Sequence, residues 1–103
     1  MGRNAKTEQY SADEQDFWRR FRELSGQTFT TLRGLEYTFD VKGNEIFFDR
    51  KEKSVTLATV IQAYRKALEL QANGIEITGP KQLGVFGASY IFPIIMRLMK
   101  NHE

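Results

Sequence analysis

The stretch that decides the fold runs from Thr28 to Asp49, "TFTTLRGLEYTFDVKGNEIFFD". Thr, Phe, Tyr, Val and Ile crowd it, and apolar and polar residues alternate with period two, as on half-buried strands. It reads as three strands, Thr28–Leu32, Glu36–Val41 and Glu45–Asp49. Gly43-Asn44 fits a two-residue hairpin turn of type II′, with Gly at the first central position. That turn sets a register: Lys42 faces Glu45, Val41 faces Ile46, Phe39 faces Phe48, and Tyr37 faces Arg50. Tyr37, Phe39, Val41, Ile46 and Phe48 then share one face, which must be the core face. Thr38, Asp40, Lys42, Glu45, Phe47 and Asp49 lie on the other. The first turn has two readings. A two-residue loop at Arg33-Gly34 sets Phe29 opposite Thr38, on the outer face. A three-residue loop, Arg33 to Leu35, sets Phe29 opposite Phe39. The second is preferred because it buries Phe29 and gives Gly34 a bulge role.

Helical patterns flank this region. Ser11-Ala12-Asp13-Glu14 reads as a capping box. Phe17, Trp18, Phe21 and Leu24 follow at helical spacing, and Ser25-Gly26 stops the helix, which is expected over 12–25. After the charged connection Lys51-Glu52-Lys53, Thr56 competes with Ser54 as N-cap. Leu57, Val60, Ile61, Tyr64, Ala67 and Leu68 then predict an amphipathic helix over 56–72, with Arg65 and Glu69 as an i, i+4 pair and Asn73-Gly74 as its stop. Ile75 to Ile77 is a candidate short strand, and Lys81–Gly84 a candidate single helical turn. A last helix is expected from near Gly87–Tyr90 to Lys100, capped by Ser89. Pro93 is compatible with it only near the first turn. Because its run Tyr90–Met96 is apolar on nearly every side, it must be covered by the chain's own elements or, in part, by a second copy. The expected class is α+β: an N-terminal helix, a three-stranded antiparallel meander, an amphipathic helix and a buried apolar C-terminal helix. Residues 1–10 are expected to be flexible and 11–103 to form a single domain.

Composition narrows function. The 103 residues carry 15 basic and 13 acidic side chains, a net charge of +2. Eight basic and nine acidic side chains fall in the first 50 residues, and seven basic and four acidic in the rest, so the positive bias lies in the second half. With no Cys, disulfides, thiolate metal sites and Cys nucleophiles are excluded, and a reducing, cytoplasmic setting fits. The polar N-terminus has no apolar signal region. The apolar run Tyr90–Met96, interrupted by Arg97, is far short of the ~20 residues a membrane span needs, so no membrane partner is expected.

The catalytic and ligand motifs are incomplete. Gly87-Ala88-Ser89 begins like a nucleophile elbow, but Ile91 replaces the closing Gly, and the single His is His102. Gly79 and Gly84 have P-loop spacing, but Val85 and Phe86 stand where Lys and Ser/Thr are required. Gly84-Val85-Phe86-Gly87 is a GxxG with an apolar centre. Asp13/Asp16 and Asp40/Asp49 read as a helix N-terminus and a solvated sheet face. Neither pair has a His companion, so no metal, no cofactor and no enzymatic activity are expected. An anion-binding turn at Gly87, Ala88 and Ser89, near Lys81, competes with a tight packing turn. Asp40, Glu45 and Asp49 would repel phosphates from the outer sheet face. Nucleic acid, if bound, would meet the basic loops: Arg33, Arg50, Lys51, Lys53 and Lys81, with Arg65 and Lys66 as second candidates. The alternative is a protein-interaction or homodimerisation module using the apolar C-terminal helix.

The segments "FTTLRGLEYTFDVKGNEIFFDRKEKSVTLATVIQAYRKALEL" and "GPKQLGVFGASYIFPI" resemble a family of small bacterial domains of uncharacterised function. That family carries a T-x-x-G-x-x-F-x-Y-x-V-x-G-N-x-I hairpin, a helix and a G-P … G-x-S-Y segment. Tyr37 and Phe39 stand here where the family has Phe then Tyr. The likeness spans about residues 27–96, leaves out the first helix, and implies no catalytic residues. Some members are fused to restriction-endonuclease-like proteins, which implies DNA binding by analogy.

Overall fold

The computed structural model describes residues 9–50 and 52–101. The expected flexible segment falls almost wholly, and Lys51 and His102 wholly, outside the described residues. Helix α1 spans Ala12–Glu23, and its capping box is complete: Ser11 Oγ accepts from the Glu14 N–H, and the Ser11 N–H donates to Glu14 Oε1. Ser25-Gly26 does more than stop this helix. The Gly26 N–H donates to the Phe39 carbonyl at 2.8 Å, and Ser25 Oγ accepts from the Val41 N–H, docking the turn onto the sheet.

Strands β1 (Thr28–Thr30), β2 (Glu36–Lys42), β3 (Glu45–Phe48) and β4 (Val55–Thr56) form one antiparallel sheet in sequence order. The meander therefore has four strands rather than three. β4 is a two-residue return on which Ile46 faces Val55, and it runs directly into helix α2. The β2–β3 register is the expected one from Lys42–Glu45 to Phe39–Phe48, with Gly43 at φ +62°. It does not reach Tyr37–Arg50. Asp49 Oδ1 accepts from the Thr38 N–H instead, and Arg50 Nε donates to the Glu36 carbonyl. The Asp49 N–H still donates to the Thr38 carbonyl at 3.1 Å, so side chains stand in only for the remaining bonds at this end of the ladder.

The first hairpin has neither expected register. Phe29 faces Tyr37, and the loop is Leu32–Gly34, closed by the Thr31 N–H on the Leu35 carbonyl. Gly34 donates to the Thr31 carbonyl at φ +93°, the bulge conformation expected of it, in a loop that lies one residue earlier in the chain. Parity is preserved, so Phe29 is buried, as the preferred reading required.

Helix α2 spans Leu57–Ala72, capped by Thr56. It ends in a Schellman motif, with the Ile75 N–H on the Leu70 carbonyl and the Gly74 N–H on the Gln71 carbonyl. Residues 75–77 are loop, not strand. A 3₁₀ turn, Pro80–Leu83, leads to helix α3, Ala88–Asn101. Gly87, not Ser89, precedes α3 and accepts the first turn's bonds from Tyr90 and Ile91. Pro93 is the sixth residue of α3, in its second turn. There its ring takes the place of an N–H that would have met the Ser89 carbonyl. Ser89 is exposed, so that carbonyl lies near water.

The helices cover one face of the sheet. Phe17 of α1 stacks on Tyr64 of α2 with ring centroids 4.0 Å apart, and Phe21 packs on Phe39. Ile91, Ile94 and Ile95 of α3 are fully buried, and Arg20 of α1 donates to the Leu98 carbonyl at 2.7 Å. Among the described α3 residues only Ser89, Arg97 and Lys100 are exposed, so the chain itself supplies the cover for which a second copy was the alternative. Among the described residues no helix is long and apolar enough to cross a membrane.

Candidate functional site

The segment between α2 and α3 is shaped by one side chain. Gln82 Oε1 accepts from the backbone N–H groups of Thr78 and Gly79, and its Nε2 donates to the Glu76 carbonyl at 3.0 Å. This closes the turn ahead of Pro80 and aims the 3₁₀ turn. Leu83 anchors that turn in the core, while Lys81 stays exposed. Gly84 (φ +64°) and Gly87 (φ +76°) both take left-handed backbone and bracket Val85-Phe86.

Arg50 arrives from the far side, just beyond β3. Its Nε is held by the Glu36 carbonyl at 2.9 Å, which fixes the plane of the guanidinium. An open hollow of about 550 Å³ lies between, bordered by Arg50, Pro80, Lys81, Gly84, Val85 and the first turn of α3, Gly87 to Tyr90. Among the described residues its lining includes two cations and no carboxylate. The leading N–H groups of a helix have no partner within the helix, so the Gly87–Ser89 turn adds donors to the same wall.

Tyr90 forms the floor. Its ring stacks on Phe48 and meets Tyr37 edge-on with centroids 5.0 Å apart. The Tyr37 hydroxyl donates to the Tyr90 carbonyl at 2.6 Å. Burial, and then the proximity of Tyr90, push the Tyr37 phenol well above its ordinary range, so it remains a neutral donor.

The expected site residues separate into groups. Arg50, Lys81, Gly87, Ala88 and Ser89 come together at the hollow. Arg33 does not line it; its neighbour Leu32 lies against Gly79, whose Cβ, if it had one, would stand 3.8 Å from Leu32 Cδ2. Lys53 is exposed before β4 and does not line the hollow, and Lys51 lies outside the described residues. Arg65 pairs with Glu14 rather than with the expected Glu69, through Nε–Oε2 at 2.6 Å and Nη2–Oε1 at 3.0 Å. Its partner's carboxyl is held below the usual range, first by that bond. Lys66 approaches Glu69 at 3.9 Å. Arg65 and Lys66 border a second hollow of about 380 Å³, which meets the first at Gly84.

Tyr90, Val85 and Pro80 were missed by sequence reasoning, and their only signal was nearness to Lys81 and the paired glycines. The acidic pairs have other work. Asp16 pairs with Arg19, and Asp49 closes the sheet ladder. Among the described residues no group of three or more His, Asp or Glu is placed to hold a metal ion. The chain matches no model of a known protein family, no curated protein and no solved structure.

Proposed function

We propose that this domain is a non-enzymatic binding module that holds nucleic acid by its phosphate backbone at the end of the molecule where α3 begins. One observation carries the reading. Arg50 and Lys81, from separate parts of the chain, converge on one open hollow whose remaining wall is the first turn of α3. Arg65 and Lys66, with Glu69, line a neighbouring hollow that shares Gly84 with the first. Phosphate contacts of this kind supply most of the affinity of nucleic-acid binding without sequence readout. The resemblance to bacterial domains fused to restriction-endonuclease-like proteins points the same way.

The outer sheet face is not the surface proposed. Asp40, Glu45 and Asp49 are exposed there. The test is a fluorescence-anisotropy titration of labelled oligonucleotides, with affinity falling steeply between about 50 and 200 mM salt. Absence of binding at the lower salt would sink the reading.

A further inference from the structure

We propose that the outer edge of β1, with the flank of α3 beside it, receives an acidic peptide segment as an added strand. The sheet order places β1 at one margin. Its register settles which way its main chain points. The Thr31 N–H donates to the Leu35 carbonyl, while Thr38 turns its own carbonyl to the Asp49 N–H, away from β1. Period two then points the main chain of Phe29 at Tyr37, and turns the N–H and C=O groups of Thr28 and Thr30 outward. Among the described residues none of these outward groups has a protein partner. Both threonines are exposed. Such a row is a template for another strand, and main-chain bonds of this kind give affinity to peptide addition at a sheet edge.

A hollow of about 390 Å³ runs along this edge. Its other wall is Pro93, Met96, Arg97 and Lys100, which the helical repeat sets on one flank of α3. The Arg97 guanidinium lies over the Phe29 ring, 4.8 Å from its centroid, which holds the charge beside the strand. Among the described residues neither Arg97 nor Lys100 pairs with a carboxylate, and the lining contains none. Every second side chain of an added strand would face this wall. Asp or Glu at those positions complements the two cations. A second copy of the chain fits less well. Pairing β1 with β1 about a two-fold axis brings the Arg97 and Lys100 of both copies to one face of the seam, like charge against like. A nucleic-acid strand would meet the cations but leave the threonine main chain unpaired. The hollow shares no lining residue with the one at Arg50 and Lys81, so the inference stands apart from the nucleic-acid reading.

The experiment uses the full chain and a fluorescein-labelled octapeptide of alternating Glu and Val, titrated by anisotropy at low salt. The peptide should bind, and its counterpart with Lys for Glu should not. Of two N-methylated forms, one modified on Val and one on Glu, one should bind on the order of tenfold more weakly and the other like the unmodified peptide, because only alternate N–H groups face β1. Lys100→Gln should weaken binding about threefold. Thr30→Pro, with folding confirmed by circular dichroism, deletes an outward donor and should weaken it on the order of tenfold. Hydrogen exchange followed by NMR should show the Thr28 and Thr30 amides protected only when peptide is present. No binding, equal effects of the two N-methylations, or binding without that protection would overturn the inference. So would an oligonucleotide of equal charge that displaces the peptide at equal concentration, or self-association that protects the same amides in the free protein.

Discussion

The hydroxyl of Tyr37, at the start of β2, donates a 2.6 Å hydrogen bond to the main-chain carbonyl of Tyr90, in the first turn of α3. The two residues are 53 positions apart. This bond joins the sheet directly to the wall of the basic hollow. Tyr37→Phe keeps the ring and deletes the donor, so it should lower stability by about 1 kcal/mol. In urea the midpoint should fall while the slope stays constant. An unchanged midpoint would show that the bond contributes nothing net.

Glu14→Gln isolates a charge. Gln still supports a capping box, but it cannot make the charge-assisted bond to Arg65. Arg65 is half exposed, so the expected loss at neutral pH is about 0.5–1 kcal/mol. The sign with pH follows from the depressed carboxyl. The contribution is fully present above the ordinary value of 4.5 and is lost as pH falls through the lower folded value. Melting curves of parent and variant should differ at pH 7 and draw together below about pH 4. A gap that persists or widens in acid would contradict this account.

Two glycines on either side of the 3₁₀ turn should respond oppositely to alanine. Gly84 is at φ +64° with open space where a Cβ would go, so the cost is conformational, about 1–2 kcal/mol. Gly79 has extended backbone at φ −166°, and its Cβ would make an ordinary contact with Leu32. Gly79→Ala should be neutral or stabilise by up to about 1 kcal/mol. Thermal denaturation of the two variants side by side checks both signs.

Lys81→Gln should reduce oligonucleotide affinity and lower the slope of log affinity against log salt by about 1. Arg19→Gln serves as the control. Arg19 is already paired with Asp16 and Glu23 on α1, and it should leave the titration unchanged. Equal losses from both variants would indicate diffuse attraction to net charge rather than a site at the hollow.

The elements legible in the sequence were those with local causes. Ser11 and Glu14 are three residues apart and cap one helix by themselves. Gly43 fixes the β2–β3 register because a tight turn leaves no slack. β4 was illegible because Val55-Thr56 is too short for a period to show and reads as the lead into α2. The first loop was misjudged by one step because Thr31 closes it, through both its N–H and its Oγ1. The candidate site was half legible. Arg50, Lys81 and the Gly87–Ser89 turn could each be picked out as basic or glycine-rich. Their meeting depends on β3 ending beside the start of α3, a long-range relation that no local spacing encodes. Arg65 was paired with its own helix for the same reason, whereas its partner lies 51 residues away.

The dependence of the sheet on α3 has a consequence for synthesis. Strands β1 to β4 and helices α1 and α2 all precede Ile91, Ile94, Ile95 and Leu98, which complete the cover of the sheet. A ribosome therefore holds a nascent chain whose meander can pair, strand by strand, while part of its apolar face stays open. Arg20 waits throughout for the Leu98 carbonyl. Cotranslational folding should give the hairpins early and the protease-resistant domain only after the α3 codons have been read. In that interval a chaperone that shields apolar surface has its best opportunity to bind.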